Sequence, residues 1–384
     1  MKFLNELLEL IFPPVEPLKP GLYSYRPKEE DDFPYPMHLR IESPDHAILI
    51  LNASTVLHLN QTAAEFIYGL IINEDRKETI KELSRRYDIP KDVLTKDYDN
   101  LLARLTTMLT TPDLDPVSFL DFERQTPYSG DLLSPYRLDL ALTYRNHDGD
   151  KVNEQLRKRV NQELSEEEWL QIVESTWKIG IPQVVFTGGE PTLQPFLPKL
   201  IAAAEKNGQV TGLLTNGVKF ADAEYMNLLL NQGLDHLMLV LDPQVNACWE
   251  AIANLMPEDI HVTVHLTIDH DDFDFYHDIL ANLRSQDVDT LSLSTNNDEL
   301  EELLQQINEH AMDEGFEIIW DLPVPYSTLN PVELELDEEE IRAQGKAWLY
   351  VEPDGDVLQA QGQTDVLGNI LTDEWDDIWA KARA

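Results

Sequence analysis

Residues 183–191 read QVVFTGGEP. An apolar run that breaks at two glycines and a proline is a buried strand leaving into a tight loop. Gly188 and Gly189 allow close approach of the backbone to a ligand, and Pro191 fixes the exit of the loop. Glu190 is expected to offer its carboxylate at the mouth of the fold, where it would accept from an ammonium group. The alternative at this point is a plain strand-to-helix turn that needs glycine for its backbone.

Outward from this stretch the pattern repeats. Strands are predicted at 137–143, 183–186, 210–214, 236–241, 261–268, 290–293 and 317–320, with helices between them, among them 166–179, 194–206, 221–231 and 298–314. Six or seven successive βα units mean an α/β fold with a parallel sheet, either a barrel or a doubly wound sheet. In both, ligands bind just after the strand ends. After the first strand come Asn146, Asp150 and Asn153, whose oxygen and amide groups suit hard cations or hydrogen bonds and not iron–sulfur clusters. Thr215-Asn216-Gly217 follows the third strand and Asp242 the fourth.

The flanks differ in character. Residues 13–36 are proline-rich and acidic and read as an extended arm. Three short β-type runs (37–43, 47–51, 55–59) precede three helices, the first capped by Asn60, the second over 76–87 and the third opening at Pro90. Together these predict a small winged-helix-like module. Residues 112–135, with four prolines, read as a linker. The tail holds a hairpin turn at Pro353-Asp354-Gly355 and a final helix with Trp375, Ile378 and Trp379 on one face.

Twenty-nine basic against 71 acidic residues give the 384-residue chain a formal charge of −42, which repels nucleic acid and anionic membranes. With 42% hydrophobic residues it can bury an ordinary core. The first twelve residues carry Glu6 and Glu9 and fit neither a signal peptide nor a membrane span, so a soluble, cytoplasmic protein is expected. Cys248 is the only cysteine.

The loop after the first strand, T-G-G-E-P, T-N-G and Asp242, in that order, resemble the radical SAM superfamily. The tail (YVEPDGDV…LGNI…IW) is similar to a SPASM-type or twitch-like extension, and Leu59 to Glu65 (LNQTAAE) with the helices after it resembles a PqqD-like peptide-recognition domain. The resemblance implies a partial (β/α)6 TIM-like barrel over 136–325. Before it stand an arm (1–35), a PqqD-like domain (36–111) and a linker (112–135), and after it an extension (326–384).

It also implies an S-adenosylmethionine pocket from Gly188, Gly189, Glu190, Pro191, Asn216 and Asp242. The superfamily holds a [4Fe–4S] cluster on a C-x3-C-x2-C loop. Here Asn146, Asp150 and Asn153 occupy those slots, and Gln359 to Gly362 stand where auxiliary-cluster relatives carry cysteine. Amides do not replace thiolates at iron. The expectation is therefore a catalytically inactive pseudoenzyme with no [4Fe–4S] cluster, no metal, and S-adenosylmethionine bound weakly if at all. Its expected partner is a precursor or leader peptide of ribosomal-peptide (RiPP) modification, or an intact radical SAM enzyme. A leader would add as a strand beside Thr55, Val56, Leu57, His58 and Leu59, with Leu94, Leu101 and Leu105 lining the groove.

Two alternatives stand beside this. One is an enzyme using the barrel without a cluster, by non-radical or metal-dependent chemistry. His261, Thr263 and His265 with Asp269 to Asp272 would serve it, although His261 and His265 lie about 13 Å apart on an extended strand. The other is a purely structural interaction protein.

Overall fold

The computed structural model describes residues 18–27, 33, 36–43, 46–51, 55–72, 75–110, 133–146, 160, 162–319 and 348–383. It divides into two compact units, Met1–Leu133 and Ser134–Ala384.

In the first unit, strands β1 (Gly21–Tyr25), β2 (Met37–Ser43), β3 (His46–Leu51) and β4 (Thr55–Leu59) form an antiparallel sheet in that order. The arm expected to be extended linker thus contributes a strand: β1 pairs along β2 from Gly21 opposite Ile41 to Tyr25 opposite Met37. Helices α1 (Gln61–Ile71), α2 (Arg76–Tyr87) and α3 (Lys91–Thr110) follow. Asn60 caps α1 by accepting from the Ala63 amide at 2.9 Å, as its side chain predicts.

The sheet buries Leu39, Leu49, Leu57 and Leu59 against α1 and Leu105. Phe66, Ile80, Leu83, Leu94 and Tyr98 fill the space among the helices. Within this apolar packing Glu65 is 4% exposed. Its carboxylate takes Arg86 Nη1 at 2.6 Å and accepts from the Tyr87 hydroxyl, which burial and that carboxylate hold far above the usual phenol range.

The second unit carries the parallel pattern. Its strands are β5 (Arg137–Thr143), β6 (Gln183–Gly188), β7 (Val210–Thr215), β8 (His236–Val240), β9 (His261–Ile268), β10 (Thr290–Thr295) and β11 (Glu317–Ile318). Helices α4 (Glu166–Ile179), α5 (Leu197–Asn207), α6 (Ala223–Asn231), α7 (Asn246–Leu255), α8 (Phe273–Ser285) and α9 (Glu301–Asp313) connect them. The strands lie side by side in sequence order without reversal. Right-handed crossovers in a series that never reverses put every helix on the same face, so the sheet is singly wound and not doubly wound.

Beyond β5 the sheet continues into the tail. β12 (Trp348–Val351) runs parallel to β5, and β13 (Asp356–Leu358) and β14 (Gly368–Asn369) follow antiparallel. Helix α10 (Trp375–Ala382) buries Ile378 and Trp379, the face that the tail's spacing predicts. The predicted strand over 317–320 is shorter, and residue 320 lies outside the described residues. The expected linker over 112–135 is described only from residue 133. Among the described residues no helix is long and apolar enough to cross a membrane.

Removing one partner of a buried ion pair strands the other charge, at about 3 kcal/mol, whereas an apolar replacement of both is nearly neutral. Arg86→Met should therefore lower the urea midpoint of the first unit's unfolding strongly, and Glu65→Leu/Arg86→Met should recover most of the loss.

Candidate functional site at the strand ends

The C-terminal ends of β5, β6 and β7 converge through backbone contacts. The Gly189 amide donates to Thr143 O at 2.7 Å, and the Glu190 amide to Arg145 O at 2.8 Å. Glycine is required at both positions for steric reasons. A Cβ on Gly188, whose φ is +121°, would meet Thr143 O at 2.3 Å, and one on Gly189 would meet Arg145 O at 2.4 Å. The two glycines accordingly let this loop zip onto the chain's own β5 exit.

Glu190 is fully buried and belongs to the same junction. Its Oε1 accepts from the Thr192 amide at 3.0 Å, the Thr192 hydroxyl at 2.5 Å and the Thr215 hydroxyl at 2.8 Å. Its Oε2 accepts from the Asn216 amide at 2.8 Å. The carboxylate expected at the open mouth is instead turned inward, where it ties the β6 exit to the β7 exit. The reason is local: both loops present backbone N–H groups that need an acceptor away from water. Pro191 is buried at the start of the short turn after Glu190. Asn216 is half-buried and caps its own turn by accepting from the Val218 amide at 3.0 Å. Asp242 is exposed and accepts from the Gln244 amide at 3.0 Å.

Residues that sequence reasoning missed complete the junction. Glu163 accepts from the Thr143 hydroxyl, from Arg145 Nη2 at 3.3 Å and from Gln194 Nε2 at 3.1 Å. Gln194 also donates to Leu142 O at 3.1 Å. Tyr144 donates to Glu352 Oε1 at 3.0 Å, joining the β5 exit to the tail hairpin, and burial holds its phenol far above the usual range. Only Thr192, two residues after Glu190, was findable locally, since an acidic side chain often caps the amide two positions on. Glu163 and Glu352 sit 20 and 208 residues from their partners, and no periodicity marks them.

The remaining candidates separate. Asn146 is half-buried at the end of the described β5 exit, and Asp150 and Asn153 lie outside the described residues. Leu57, Leu59, Leu94 and Leu105, expected along a peptide groove, are core residues at 3% exposure or less, because the inward face of β4 and the apolar stripe of α3 make the core itself. Leu101 is partly buried against both clusters. The side chains of Thr55, Val56 and His58 lie outside the described residues.

His261 is exposed while His265 is fully buried, so they form no common metal site. The His265 ring has Nδ1 at 3.0 Å from Ser292 Oγ, and Nε2 at 2.9 Å from Ser294 Oγ and 3.3 Å from Thr267 Oγ1.

Burial lowers the His265 pKa to about 3. The folded ring stays neutral while the unfolded chain binds a proton below about pH 6.5, so stability is present above that pH and lost as pH falls from 6.5 toward 3. At pH 5 the loss is about 2 kcal/mol, and chemical denaturation of His265→Asn should show a shallower decline between pH 7 and 5. Gly189→Ala should cost about 2 kcal/mol or more by forcing the β5 and β6 exits apart, read as a fall in thermal midpoint.

Comparison with known proteins places this geometry. Residues 146–242 match the model of the radical SAM superfamily. The chain is 39% identical over 82 residues to the PqqA peptide cyclase of Granulibacter bethesdensis, covering 21% of this chain and 22% of that protein. It is 37% identical over 91 residues to the PqqA peptide cyclase of Streptomyces rochei, covering 24% and 25%. The chain thus aligns with about a quarter of the length of each of these relatives. Streptococcus suis SuiB bound to S-adenosylmethionine superposes with a TM-score of 0.55 at 13% identity, over 89% of this chain and 86% of that one. SuiB bound to the precursor peptide SuiA gives 0.55 at 14% identity, over 87% and 85%.

Two expectations fall to these likenesses. The expected pseudoenzyme is overturned, because the relatives are named as cyclases, which are enzymes. The expected lack of cofactors is overturned with it, by the radical SAM match and by the neighbouring structure that carries S-adenosylmethionine. The donor chemistry of this chain still differs from a thiolate set. Asn146, Asp150 and Asn153 do not fit the ligation of an iron–sulfur cluster, and Cys248 is buried on α7 with its Sγ donating to Asn216 O at 3.2 Å. Residues 146–242 match the radical SAM model, and the α/β fold with its mostly parallel sheet is similar to that of SuiB.

Proposed function

We propose that this chain is an enzyme of peptide modification that binds S-adenosylmethionine at the ends of β6, β7 and β8 and a precursor peptide at its N-terminal unit. The observation that carries the reading is the Glu190 junction. It holds the T-G-G-E-P and T-N-G loops in one rigid arrangement at the strand ends, where ligands of parallel α/β folds bind. Glu190 is a positioning residue in this reading. Gly189 and Asn216, both half-buried, and the exposed Asp242 present the polar groups of the rim, with Asp242 suited to accept from the ribose hydroxyls. The buried Glu190 carboxylate accepts from neutral donors alone among the described residues, so its bonds hold the rim loops without drawing on the charged groups around it.

The N-terminal unit is read as a PqqD-like peptide-recognition domain and the tail as a SPASM-like extension. Support for the peptide comes from two sides. The relatives are named for a peptide substrate and SuiB was solved with its precursor. In the first sheet, β1 occupies one edge and β4 is the other, so an added strand would pair with β4.

The test is calorimetric titration of S-adenosylmethionine into the purified chain. Saturable binding below about 100 μM, or 5.5 kcal/mol, is expected. Glu190→Gln should weaken it at least tenfold by loosening the Asn216 loop. No saturable heat up to 1 mM would refute the assignment of the pocket.

A further inference from the structure

Residues paired across neighbouring strands share a face of the sheet, so the register sorts every side chain of β9 and β10. On the helix-covered face these strands present Val262, Val264, Leu266, Leu291 and Leu293, all buried. On the other face Thr263 pairs with Thr290, His265 with Ser292 and Thr267 with Ser294. The interior of a βα barrel is ordinarily filled by branched aliphatic side chains. Here that face of two adjacent strands is six polar residues in a block, three tall and two wide.

The block has a defined border. On β8, Met238 stands beside Thr263 and Val240 beside His265, and these join Val185 and Leu214 in an apolar cluster. The same face therefore carries an apolar centre of Val185, Leu214, Met238 and Val240 on β6 to β8, with Gln183 and His236 at its N-terminal end, and is polar along its length on β9 and β10. Apart from His265 no member of the block is ionisable, and His265 is held neutral. A neutral imidazole has one donor and one acceptor nitrogen, so Ser292 and Ser294 take opposite roles at its two ends and the hydroxyls form an ordered chain. That chain runs toward the C-terminal end of the sheet, where Thr267 is half-buried and, among the described residues, its hydroxyl makes the long 3.3 Å contact with His265 alone.

We propose that this block is a specificity surface for the substrate of the reading above, one that accepts an uncharged hydrogen-bonding side chain, a carboxamide or a hydroxyl. Thr267 makes the first contact, and the His265 relay sets whether it donates or accepts. A carboxylate or ammonium placed against the block would be desolvated with no counter-charge among these residues, which costs more than its hydrogen bonds return. An aliphatic group would displace water from the Thr267 hydroxyl without replacing its bonds.

The proposal rests on the barrel being the chamber where peptide and S-adenosylmethionine meet, and the experiment separates the two. Saturation-transfer NMR of the full chain would use N-acetyl amino-acid amides of Gln, Asn, Ser, Glu, Lys and Leu at millimolar concentration, beside the S-adenosylmethionine titration on the same sample. The Gln, Asn and Ser compounds are expected to bind and to compete with one another, and Thr267→Val should weaken them at least fivefold while S-adenosylmethionine affinity stays within twofold. Ser294→Ala gives a second, milder perturbation of the same block. The proposal is overturned if the Glu, Lys or Leu compound binds as well as Gln, if no compound binds, or if both folded variants leave Gln binding unchanged. Discrimination that persists without S-adenosylmethionine binding would overturn the pocket assignment and leave the specificity surface standing.

Discussion

The architecture of the second unit turns on one carboxylate. In a parallel sheet the strand ends that carry function are also where backbone N–H groups lose their ladder partners, and Glu190 collects them. Four hydrogen bonds from Thr192, Thr215 and Asn216 reach its two oxygens, while its own amide and that of Gly189 are given to the β5 exit. Three strand ends are thereby fixed to one another without a salt bridge. The Glu190 oxygens accept from neutral donors alone among the described residues, while the Lys219 ammonium donates to Thr192 O at 2.6 Å beside it.

Much of this was legible in the sequence, for reasons that can be named. The βα alternation is written in apolar runs of four to eight residues, and it recovers β5 to β10 because each is buried on both faces. Asn60 and the stripe of α10 are local signals and were readable as such. The arm strand β1 was not, because its partner β2 lies beyond a proline-rich stretch and pairing over that distance leaves no trace in period. Glycine at 188 and 189 was legible as a close approach, but what the backbone approaches is Thr143 O and Arg145 O. Chain composition does not reveal which neighbour a small residue serves.

The motif residues lie at the strand ends as their spacing suggests, but several side chains point elsewhere than expected. T-G-G-E-P, T-N-G and Asp242 fall where the strand ends converge, yet Glu190 faces inward and Leu94 and Leu105 face the core. The absent thiolates led to an expectation of inactivity that the relatives overturn. Loss of one ligand type constrains how a chain holds a metal cluster. It does not constrain the loops, the polar face of β9 and β10 or the hydrogen bonds that hold the strand ends.

The arm strand β1 has an effect on the physical behaviour of the first unit. A sheet with two bare edges can stack copies end to end without limit, the geometry of fibrous aggregation. By folding its own residues 21–25 along β2, this sheet covers the seven-residue edge of β2 and moves the edge out to β1. Both outer strands, β1 and β4, are then only five residues long, and a short edge offers few backbone groups to a further copy.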